Sequence, residues 1–433
     1  MAHILFISPY YPPEVGAPQT RISETATRLA RRGHQVTVLT TLPNYPSGVV
    51  PPDYYHGQRR REEIDGVSVV RVWSYIRPNR GFLSRIIAQL SFGLLAPFVA
   101  GRAIGRPNVI IVESPPLFDA YAGRYLAWRH RCPYIFTVAD IWPESAVQLG
   151  MLRNRLLIGL AERLEWSTYR HAGAVWAVTA GIRGALVGRG LSQERVFLLP
   201  NGVDTNRFRP LPRDECRAEL GWDERYTVLY AGTMGLAHGL GTVLDAATTL
   251  RHESDIRFVL IGDGAAKPDL MAEAARRGLD NVTFLDAQPH ARMPAIISAA
   301  DASLVSLRNV PLFEGALPSK TYEAMSCARP ILLAVNGEAQ ELIEREAGAA
   351  VHVEPENADA LAQAVLNLRA HPEMARALGE RGRAFVRARF DRDALAGALD
   401  ERIGALLGAP VPRASESPPA SGPPRPVVTA DHP

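Results

Sequence analysis

The sequence predicts an α/β protein built from two doubly wound parallel sheets. Short apolar runs of strand length alternate with segments of helix length along nearly the whole chain. This alternation stops in the turn-rich stretch LPNGVDTNRFRPLPRDE and then starts again. A chain of 433 residues also exceeds one ordinary hydrophobic core, which favours two domains of about 200 residues each.

The chain opens with a β-loop-α-β unit. Residues 4–8 form an apolar run typical of a central parallel strand, and residues 36–40 form the next one after a helical pattern. The loop PYYPPEVGAPQ after the first strand carries Glu14 and Gly16. Open α/β sheets bind ligands at the carboxyl ends of their strands, so both residues are candidates for an acceptor or phosphate loop. Simple turn chemistry explains the glycine equally well.

The remaining strands follow the same alternation. Four are predicted in the first half, at residues 109–113, 134–138, 174–178 and 195–199. Six are predicted in the second half, within TVLYAG, RFVLIGDG, VTFLDA, ASLVSL, PILLAV and AAVHVE. A helix-length segment separates each from the next, as parallel strands require.

These elements divide the chain into domains and connecting segments. We expect a first domain over residues 1–200, a linker over 201–212, a second domain over 213–391 and an amphipathic helix over 392–407. Residues 408–433 are rich in Pro, Ser and Ala and lack an apolar period, so they are predicted to be a disordered tail.

Composition argues against several classes of protein. A formal net charge of +3, with no basic run interleaved with aromatic residues, argues against nucleic-acid binding. Three widely spaced cysteines, Cys132, Cys216 and Cys327, provide neither a metal knuckle nor a disulfide framework. The start MAHILFIS has no basic segment or cleavage site and is not a signal peptide. The expected compartment is a reducing cytoplasm.

One segment interrupts the alternation. Residues 80–106, RGFLSRIIAQLSFGLLAPFVAGRAIGR, contain an uncharged apolar core of about 15 residues, shorter than the ~20 that span a bilayer as a helix. The arginines that flank this core are Arg77, Arg80, Arg85, Arg102 and Arg106. A helix lying on an anionic membrane surface needs this combination. A buried helix packed under the first sheet explains the apolar residues equally well.

The stretch NVPLFEGALPSKTYEAMSCARPIL is predicted to bind a nucleotide. Pro318 should end the incoming loop, and Ser319 should cap a helix over residues 320–329. A buried strand should follow at residues 331–335. Free amides at the start of this helix suit a phosphate or diphosphate.

Two residues of this helix carry the predicted chemistry. Lys320 and Glu323 share a face at i, i+3, where the ammonium suits a diphosphate and the carboxylate can accept hydrogen bonds from ribose hydroxyls. Only two of the 48 basic residues are lysines, Lys267 and Lys320, so each stands out against a strong preference for arginine. Drift on a solvated face is the alternative explanation for both lysines.

Six motifs occur along the chain in this order: ISPYYPPEVGAPQTR, VADIWPES, LPNGVDTNRF, YAGTMGLAHGL, LIGDGAAK and PSKTYEAMSCARPIL. By their order and spacing, the sequence resembles family 4 glycosyltransferases of the GT-B fold, in the bacterial branch used in O-antigen, capsule and colanic-acid assembly. The resemblance implies two Rossmann-like domains facing a cleft, with the donor held mainly by the second domain and the acceptor by the first. It also implies a final helix that returns to the first domain.

Such enzymes transfer a sugar from a nucleotide diphosphate with retention of configuration and without a bound metal or other cofactor. Carried onto this chain, the donor-binding residues are Gly232, Thr233, His238, Gly262, Gly264, Lys267, Pro318, Ser319, Lys320 and Glu323. Many relatives have an arginine at the position of Thr233 and a lysine at that of His238. Neutralisation of the leaving diphosphate therefore depends on Lys320, helix-start amides and His238, if it is protonated.

The loop LIGDGAAK offers a second approach to the nucleotide. Gly262 and Gly264 follow a buried strand and precede a helix that begins near Lys267, which fits close contact between backbone and ligand. A tight turn alone explains both glycines nearly as well. Residues 289–293 correspond to the segment that lies beside the nucleotide base in relatives.

The chain departs from the family at two acidic positions. Glu323 takes the ribose role, but the residue eight positions before it is Gly315, so Glu314 is the hypothesis for the sugar side. The family's histidine of the first domain is absent from VADIWPES, where Asp140 occupies that region. Asp140 can position the acceptor hydroxyl or accept its proton, or it can serve as a turn or N-cap residue. Glu144 is a weaker alternative.

The predicted function is retaining, metal-independent transfer of a sugar from a UDP-linked donor, such as an N-acetylated amino sugar, to a lipid-linked bacterial glycan. The predicted catalytic set is Asp140, Lys320 and Glu314. A UDP-sugar 2-epimerase of the same fold stays open, as does a non-catalytic sugar-nucleotide-binding partner. We expect a cytoplasmic protein at the inner face of the membrane, with residues 80–106 as its candidate contact.

Overall fold

The computed structural model describes residues 1–14, 16–44, 48–54, 60–76, 82–148, 150 and 152–408. Within these ranges the chain forms two predominantly parallel sheets with helices packed against them, which confirms the predicted fold class. The predicted disordered tail, apart from its first residue, lies outside the described residues.

The first sheet has eight strands among the described residues. They are β1 (His3–Ile7), β2 (Gln35–Thr41), β3 (Arg61–Ile64), β4 (Val67–Val72), β5 (Val109–Val112), β6 (Tyr134–Val138), β7 (Ala174–Ala177) and β8 (Val196–Leu198). Their order is β3-β4-β2-β1-β5-β6-β7-β8. Among these described strands, only the pairing of β3 with β4 is antiparallel.

The hairpin of β3 and β4 is the part of this sheet that the sequence prediction missed. Asp65 and Gly66 form its turn with φ values of 51° and 78°. An Asp-Gly pair between two strand-like runs is the usual signal of such a hairpin, because both central residues of the turn need positive φ. β4 pairs with β2, so the hairpin extends one edge of the sheet.

The second sheet has six strands, all parallel. They are β9 (Tyr226–Ala231), β10 (Ile256–Ile261), β11 (Val282–Leu285), β12 (Ala302–Ser306), β13 (Ile331–Ala334) and β14 (Ala350–His352). Their order is β11-β10-β9-β12-β13-β14. Alternate residues of β10 enter two different clusters of buried side chains, so both faces of the sheet are covered.

Most of the helices lie between successive strands, and the last three follow the final strand, β14. In the first half they are α1 (Ala17–Arg31), α2 (Phe82–Ala100), α3 (Asp119–His130), α4 (Glu144–Gln148), α5 (Arg155–His171) and α6 (Ala180–Gly188). The second half contains α7 (Arg213–Leu220), α8 (Gly241–Thr249), α9 (Lys267–Arg277), α10 (Met293–Ala299), α11 (Lys320–Ser326), a π-helix (Gln340–Glu346), α12 (Ala358–Ala370), α13 (Pro372–Arg389) and α14 (Arg392–Leu406).

Helix α11 begins at Lys320, as predicted, but differs from its prediction in its last residue and in its cap. It ends at Ser326 instead of residue 329. Ser319 already has helical dihedral angles and makes no capping hydrogen bond through its side chain, so the predicted cap is wrong. The hydroxyl of Thr321 donates to the carbonyl of Pro318 at 2.6 Å.

The final helix, α14, packs on the first sheet's side of the molecule. Leu399 and Ile403 are buried in the core around the first sheet. Arg28 of α1 donates to Asp393 at 2.8 Å. The linker pairs with the start of this helix through a parallel bridge between Val203 and Asp391. The two chain crossings between the halves therefore lie side by side.

The carboxyl edges of the two sheets face each other across a cleft. Directly after β7, the hydroxyl of Thr179 donates to the carbonyl of Gly315 at 3.0 Å. The amides of Ala180 and Gly181 donate to the two carboxylate oxygens of Glu338 at 2.7 and 2.6 Å. Loops that follow strands of both sheets therefore meet at this cleft.

Helix α2 is buried on one face and exposed on the other. Phe92 and Ala96 belong to the core of the first sheet. Phe98 is 65% exposed, and the other exposed apolar residues of this helix are Ile87, Leu94, Leu95 and Val99. The window Ile86–Ile104 is long and apolar enough to cross a membrane, with a mean hydropathy of 1.5. The buried face of this helix thus fits the interpretation as a core helix, and the exposed face fits the interpretation as a membrane-surface helix. Arg77 and Arg80, two of the flanking arginines, lie outside the described residues.

Candidate active site

The topology of the second sheet locates a binding crevice. Strand order reverses between β9 and β12, and open α/β sheets bind ligands beyond the carboxyl ends of strands at such a point. The loop 232–240 follows β9, and the loop after β12 leads to α11. Ser306 donates to the carbonyl of His238, and the amide of Arg308 donates to that of Ala237, both at 2.9 Å. These hydrogen bonds join the two loops into one wall.

Lys320 reaches this wall from the first turn of α11. Its Nζ atom is buried and has no hydrogen-bond partner among the described residues. Nζ also lies beside Gly232, where an added Cβ would come within 3.1 Å of it. Burial lowers the pKa of Lys320 to about 7, although nearby Glu323 raises it. Because an unpaired buried cation is unfavourable, a lysine at this place indicates an anionic ligand.

Tyr230, on β9, contacts both the lysine and the loop. Lys320 Nζ lies 3.7 Å from the centroid of its ring, within the range of a cation–π interaction. The phenol hydroxyl donates to the carbonyl of Thr233 at 2.6 Å. The sequence prediction did not single out Tyr230, because an aromatic residue in an apolar strand is usually part of the core. In this structure one buried ring holds both the ammonium and the loop backbone.

His238 lies in the same loop but is uncharged at neutral pH. Burial lowers the pKa of His238 to about 4, and the charge of Lys320 contributes to the same shift. Its Nδ1 atom is buried without a hydrogen-bond partner in the described part of the chain. The predicted contribution of His238 to charge neutralisation required a protonated ring, and the lowered pKa leaves the ring neutral at neutral pH. A neutral imidazole contributes hydrogen bonding but no charge.

Gly262 and Gly264 allow two loops to pack backbone against backbone. A Cβ on Gly262, whose φ is 146°, would lie 1.9 Å from the carbonyl oxygen of Gly232. A Cβ on Gly264 would lie 2.4 Å from the carbonyl oxygen of Met234. Glycine is required at both positions by these contacts, whether or not a nucleotide approaches the loop.

Lys267 is engaged within the second sheet. Its Nζ donates to the carbonyls of Gly262 and Leu285 at 3.0 and 3.2 Å, and to the carboxylate of Asp286 at 2.7 Å. These contacts use all three donors of an ammonium group. Lys267 therefore joins the ends of β10 and β11. In this geometry its ammonium group is not available to a nucleotide-sugar donor.

Glu323 lies one helical turn beyond Lys320. Its side chain is partly exposed, and its Oε1 atom is 3.2 Å from Nε2 of His290. The centroid of the His290 ring lies 5.1 Å from that of Phe208. His290 falls within the segment expected near the nucleotide base, but no sequence signal indicated its contact with a residue 33 positions away.

Gly315 packs against the opposite wall of the cleft. A Cβ on Gly181 would lie 2.9 Å from the Cα of Gly315 and 3.0 Å from a carboxylate oxygen of Glu338. Glu314 is exposed beside this contact. Glu338 was missed by the sequence prediction because its partners come from the other half of the chain.

Asp140 follows β6 at the cleft edge of the first sheet. Burial raises the pKa of its carboxyl group, and hydrogen bonds with the Ser145 side chain and the Ile141 backbone partly offset this effect. These hydrogen bonds are those expected of Asp140 as a turn residue, while its raised pKa suits a general base that accepts the proton of the acceptor hydroxyl. Glu144 begins α4, is exposed and accepts a hydrogen bond from Gln148 at 3.0 Å.

Glu14 and Gly16 lie in the loop after β1. The buried carboxylate of Glu14 accepts a hydrogen bond from the amide of Asn44 at 2.6 Å, which joins the loops after β1 and β2. Gly16 precedes α1 with an extended backbone, and its carbonyl accepts from the amide of Thr20. Loop packing and helix initiation account for both residues, and a ligand role stays a prediction.

A buried charged cluster lies near the reversal of strand order in the first sheet. Arg21 of α1 pairs with Glu113, which follows β5, and donates to Asn201 at 2.7 Å. Asp119 is fully buried, with neither carboxylate oxygen hydrogen-bonded among the described residues. Burial raises the pKa of Glu113 and of Asp119. Sequence spacing could not reveal this cluster, because Arg21 and Glu113 are 92 residues apart.

Metal-ligating side chains do not cluster in the described ranges. No group of three or more His, Cys, Asp or Glu residues there is arranged to hold a metal ion. Cys132, Cys216 and Cys327 are free thiols. Burial raises the pKa of Cys132 to about 11 and that of Cys327 to about 12, so both are protonated at neutral pH. Metal independence stays a prediction.

Two family models match the chain in succession. The model described as a glycosyl transferase 4-like domain matches residues 16–202. The model described as glycosyl transferases group 1 matches residues 212–385. The two matches meet at the linker between the sheets.

Individual relatives extend over most of the chain. A protein named for colanic acid biosynthesis, the glycosyl transferase WcaI of Escherichia coli (strain K12), is 29% identical over 86% of this chain and 94% of its own length. The alpha-D-kanosaminyltransferase of Streptomyces kanamyceticus is 30% identical over 69% of this chain and 70% of its own. Sucrose-phosphate synthase from Thermosynechococcus elongatus has a TM-score of 0.74 at 20% identity, covering 94% of this chain and 100% of that one. This last likeness concerns the fold alone.

Proposed function

We propose that this protein transfers a sugar from a UDP-sugar donor to a lipid-linked glycan. The chain belongs to the glycosyltransferases, since it joins a glycosyl transferase 4-like domain to a group 1 domain. The transfer retains the anomeric configuration and needs no metal ion. The observation that carries the proposal is the buried, unpaired ammonium of Lys320 beside Gly232. The similarity to a protein named for colanic acid biosynthesis supports a surface polysaccharide as the product.

In this proposal the donor diphosphate binds against Lys320 and the backbone at Gly232. An anion beside the ammonium raises the pKa of the lysine again, so binding keeps the side chain charged. The charge then stabilises the diphosphate as it leaves, at the point where negative charge develops. Glu323, one turn further along α11, accepts hydrogen bonds from the ribose hydroxyls.

The acceptor binds on the first sheet's side of the cleft. Asp140 orients the attacking hydroxyl and receives its proton, for which a carboxyl group with a raised pKa is better suited than an ordinary one. The contacts between Gly181, Gly315 and Glu338 close the cleft and bring the two sides together. Glu314 stays a candidate for contact with the transferred sugar.

The lipid-linked acceptor requires access to a membrane, and the exposed face of α2 is the proposed contact. Phe98 lies 4.8 Å from Tyr125 and Tyr125 lies 6.0 Å from Trp128, measured between ring centroids, so this face continues onto α3. Trp128 is 74% exposed. Exposed arginines near the ends of the two helices are Arg102, Arg106, Arg129 and Arg131. Apolar bodies with basic edges favour an anionic membrane surface at the inner face of the cytoplasmic membrane.

Thermal unfolding with UDP, GDP and ADP, each with and without EDTA, tests the donor site. A selective ligand at 100 times its Kd stabilises the folded protein by about 2.7 kcal/mol. We expect a shift with UDP that survives EDTA and is lost in Lys320→Ala, together with a collapse of turnover in that variant. No shift with any nucleotide, or a normal kcat for Lys320→Ala, would refute the assignment.

A further inference from the structure

Four side chains form a line from the proposed ribose site to the first domain. It runs from Glu323 of α11 to His290, then to Arg207 of the linker and to Glu24 of α1. The successive polar atoms are 3.2, 3.4 and 3.1 Å apart. Glu24 also pairs with Arg392, the first residue of α14, at 2.5 Å. The line therefore ends where the chain crosses between the two domains.

The hydrogen-bonding capacities in this line fix the tautomer of His290. A guanidinium group has only donors, so Nδ1 of His290 accepts from Arg207. The proton of the neutral imidazole is then on Nε2, which donates to Oε1 of Glu323. Phe208 packs against the ring with a centroid separation of 5.1 Å and limits its rotation. His290 is thus held on two sides and directs one N–H at the carboxylate.

We propose that His290 is a positioning residue for donor binding, which holds the carboxylate of Glu323 in the orientation that receives the ribose hydroxyls. This inference rests on the donor site proposed above. A carboxylate already fixed by a hydrogen bond loses less conformational freedom when the ligand binds. Because Arg207 also binds Glu24, the orientation of Glu323 depends on the contact between the two domains.

A comparison of two nucleotides separates this role from a general structural one. UDP carries both ribose hydroxyls, whereas 2′,3′-dideoxy-UDP carries neither and offers Glu323 nothing to bind. The affinity of both is measured by titration calorimetry for the wild type and for His290→Ala. We expect His290→Ala to weaken UDP binding about tenfold and to leave dideoxy-UDP binding within about twofold. If the donor panel selects GDP or ADP, the matching pair of nucleotides is used.

Three further variants sharpen the test. His290→Gln keeps a nitrogen that donates and an oxygen that accepts at the end of the side chain, so it should restore most of the UDP affinity. Arg207→Ala should lower UDP affinity less than His290→Ala and spare dideoxy-UDP. His371→Ala is the matched control, because His371 is exposed on the second domain and its ring contacts the carbonyl of Asn367.

The outcomes distinguish the inference from the function on which it rests. A wild type that binds both nucleotides equally overturns the ribose role of Glu323 and this inference with it. A wild type that prefers UDP, with a His290→Ala variant that keeps the same preference or loses both affinities equally, overturns the inference alone. If His290→Ala folds poorly, Arg207→Ala provides the same comparison.

Discussion

The ammonium nitrogen of Lys320 lies 3.7 Å from the centroid of the Tyr230 ring, and this contact connects the strand β9 with the helix α11. Nζ has no hydrogen-bond partner among the described residues. A cation–π contact stabilises the charged form of the lysine without occupying its three donors. Those donors are therefore available to a diphosphate.

Two substitutions of Tyr230 should distinguish the effect of its ring contact with Lys320 from that of its hydrogen bond to Thr233. Tyr230→Phe keeps the ring and loses only the hydrogen bond to Thr233, so we expect UDP affinity to fall about fivefold or less. Tyr230→Leu also removes the ring beneath Lys320 and should lower UDP affinity by about 30-fold. Titration calorimetry measures both. Equal losses for the two variants would show that the ring contact is unimportant.

The affinity for UDP should depend on pH through Lys320. Because the pKa of Lys320 in the free protein is about 7, raising the pH from 7 to 9 removes the proton that the diphosphate requires. The Kd should therefore rise by up to about tenfold per pH unit over this range, where the diphosphate itself is fully ionised. Lys320→Arg is the control, since a guanidinium stays charged and should give a flat profile. A flat profile for the wild type would contradict the shifted pKa.

The same lysine should lower stability at neutral pH. Its pKa falls from 10.5 in the unfolded chain to about 7 in the folded protein, so the unfolded state binds more protons between these values. The contribution of Lys320 to the free energy of unfolding is therefore most unfavourable below pH 7 and improves as the pH rises towards 10. Lys320→Met should raise the Tm at pH 7, and the difference from the wild type should shrink by pH 10. A lower Tm for Lys320→Met at pH 7 would contradict this account.

Closing of the cleft should be sensitive to one methyl group. In Gly181→Ala the new Cβ lies 2.9 Å from the Cα of Gly315, and backbone yields less easily than a flexible side chain, so one side of this contact must move away from the other. We expect a larger radius of gyration in small-angle scattering and a higher KM for the donor. Gly184→Ala in the same helix is the matched control, because a Cβ there has no neighbour within 4 Å. It should fold normally and gain up to about 1 kcal/mol in helix stability. Indistinguishable scattering for the two variants would argue against the closing contact.

Membrane attachment should depend on the exposed face of α2. Leu94→Asp combined with Leu95→Asp places two charges on this face, and we expect the variant to lose sedimentation with phosphatidylglycerol vesicles. The wild type should sediment with these vesicles and much less with phosphatidylcholine vesicles. Met271→Asp, at an exposed apolar residue of the second domain, should behave as the wild type. Full sedimentation of the double variant would exclude this face as the contact.

Local pattern was enough to predict most of the fold. Every strand predicted from the sequence is present. Central strands such as β1 and β10 are buried along their whole length, which requires a run of apolar residues that the chain shows directly. The hairpin at β3 and β4 was missed, although the Asp65-Gly66 pair is a sequence signal for its turn. The spacing of Lys320 and Glu323 placed both on one helix face, since an α-helix fixes the neighbours at i and i+3.

The sequence by itself therefore determined the two parallel sheets and the pair of residues on α11, because periodicity and helical spacing are local properties of the chain. Only the tertiary structure decided which groups surround that pair. It placed Tyr230 under Lys320, deprotonated His238, engaged Lys267 with backbone carbonyls and brought His290 to Glu323. These outcomes depend on burial and on contacts between residues far apart in the chain, and neither can be obtained from the order of residues alone.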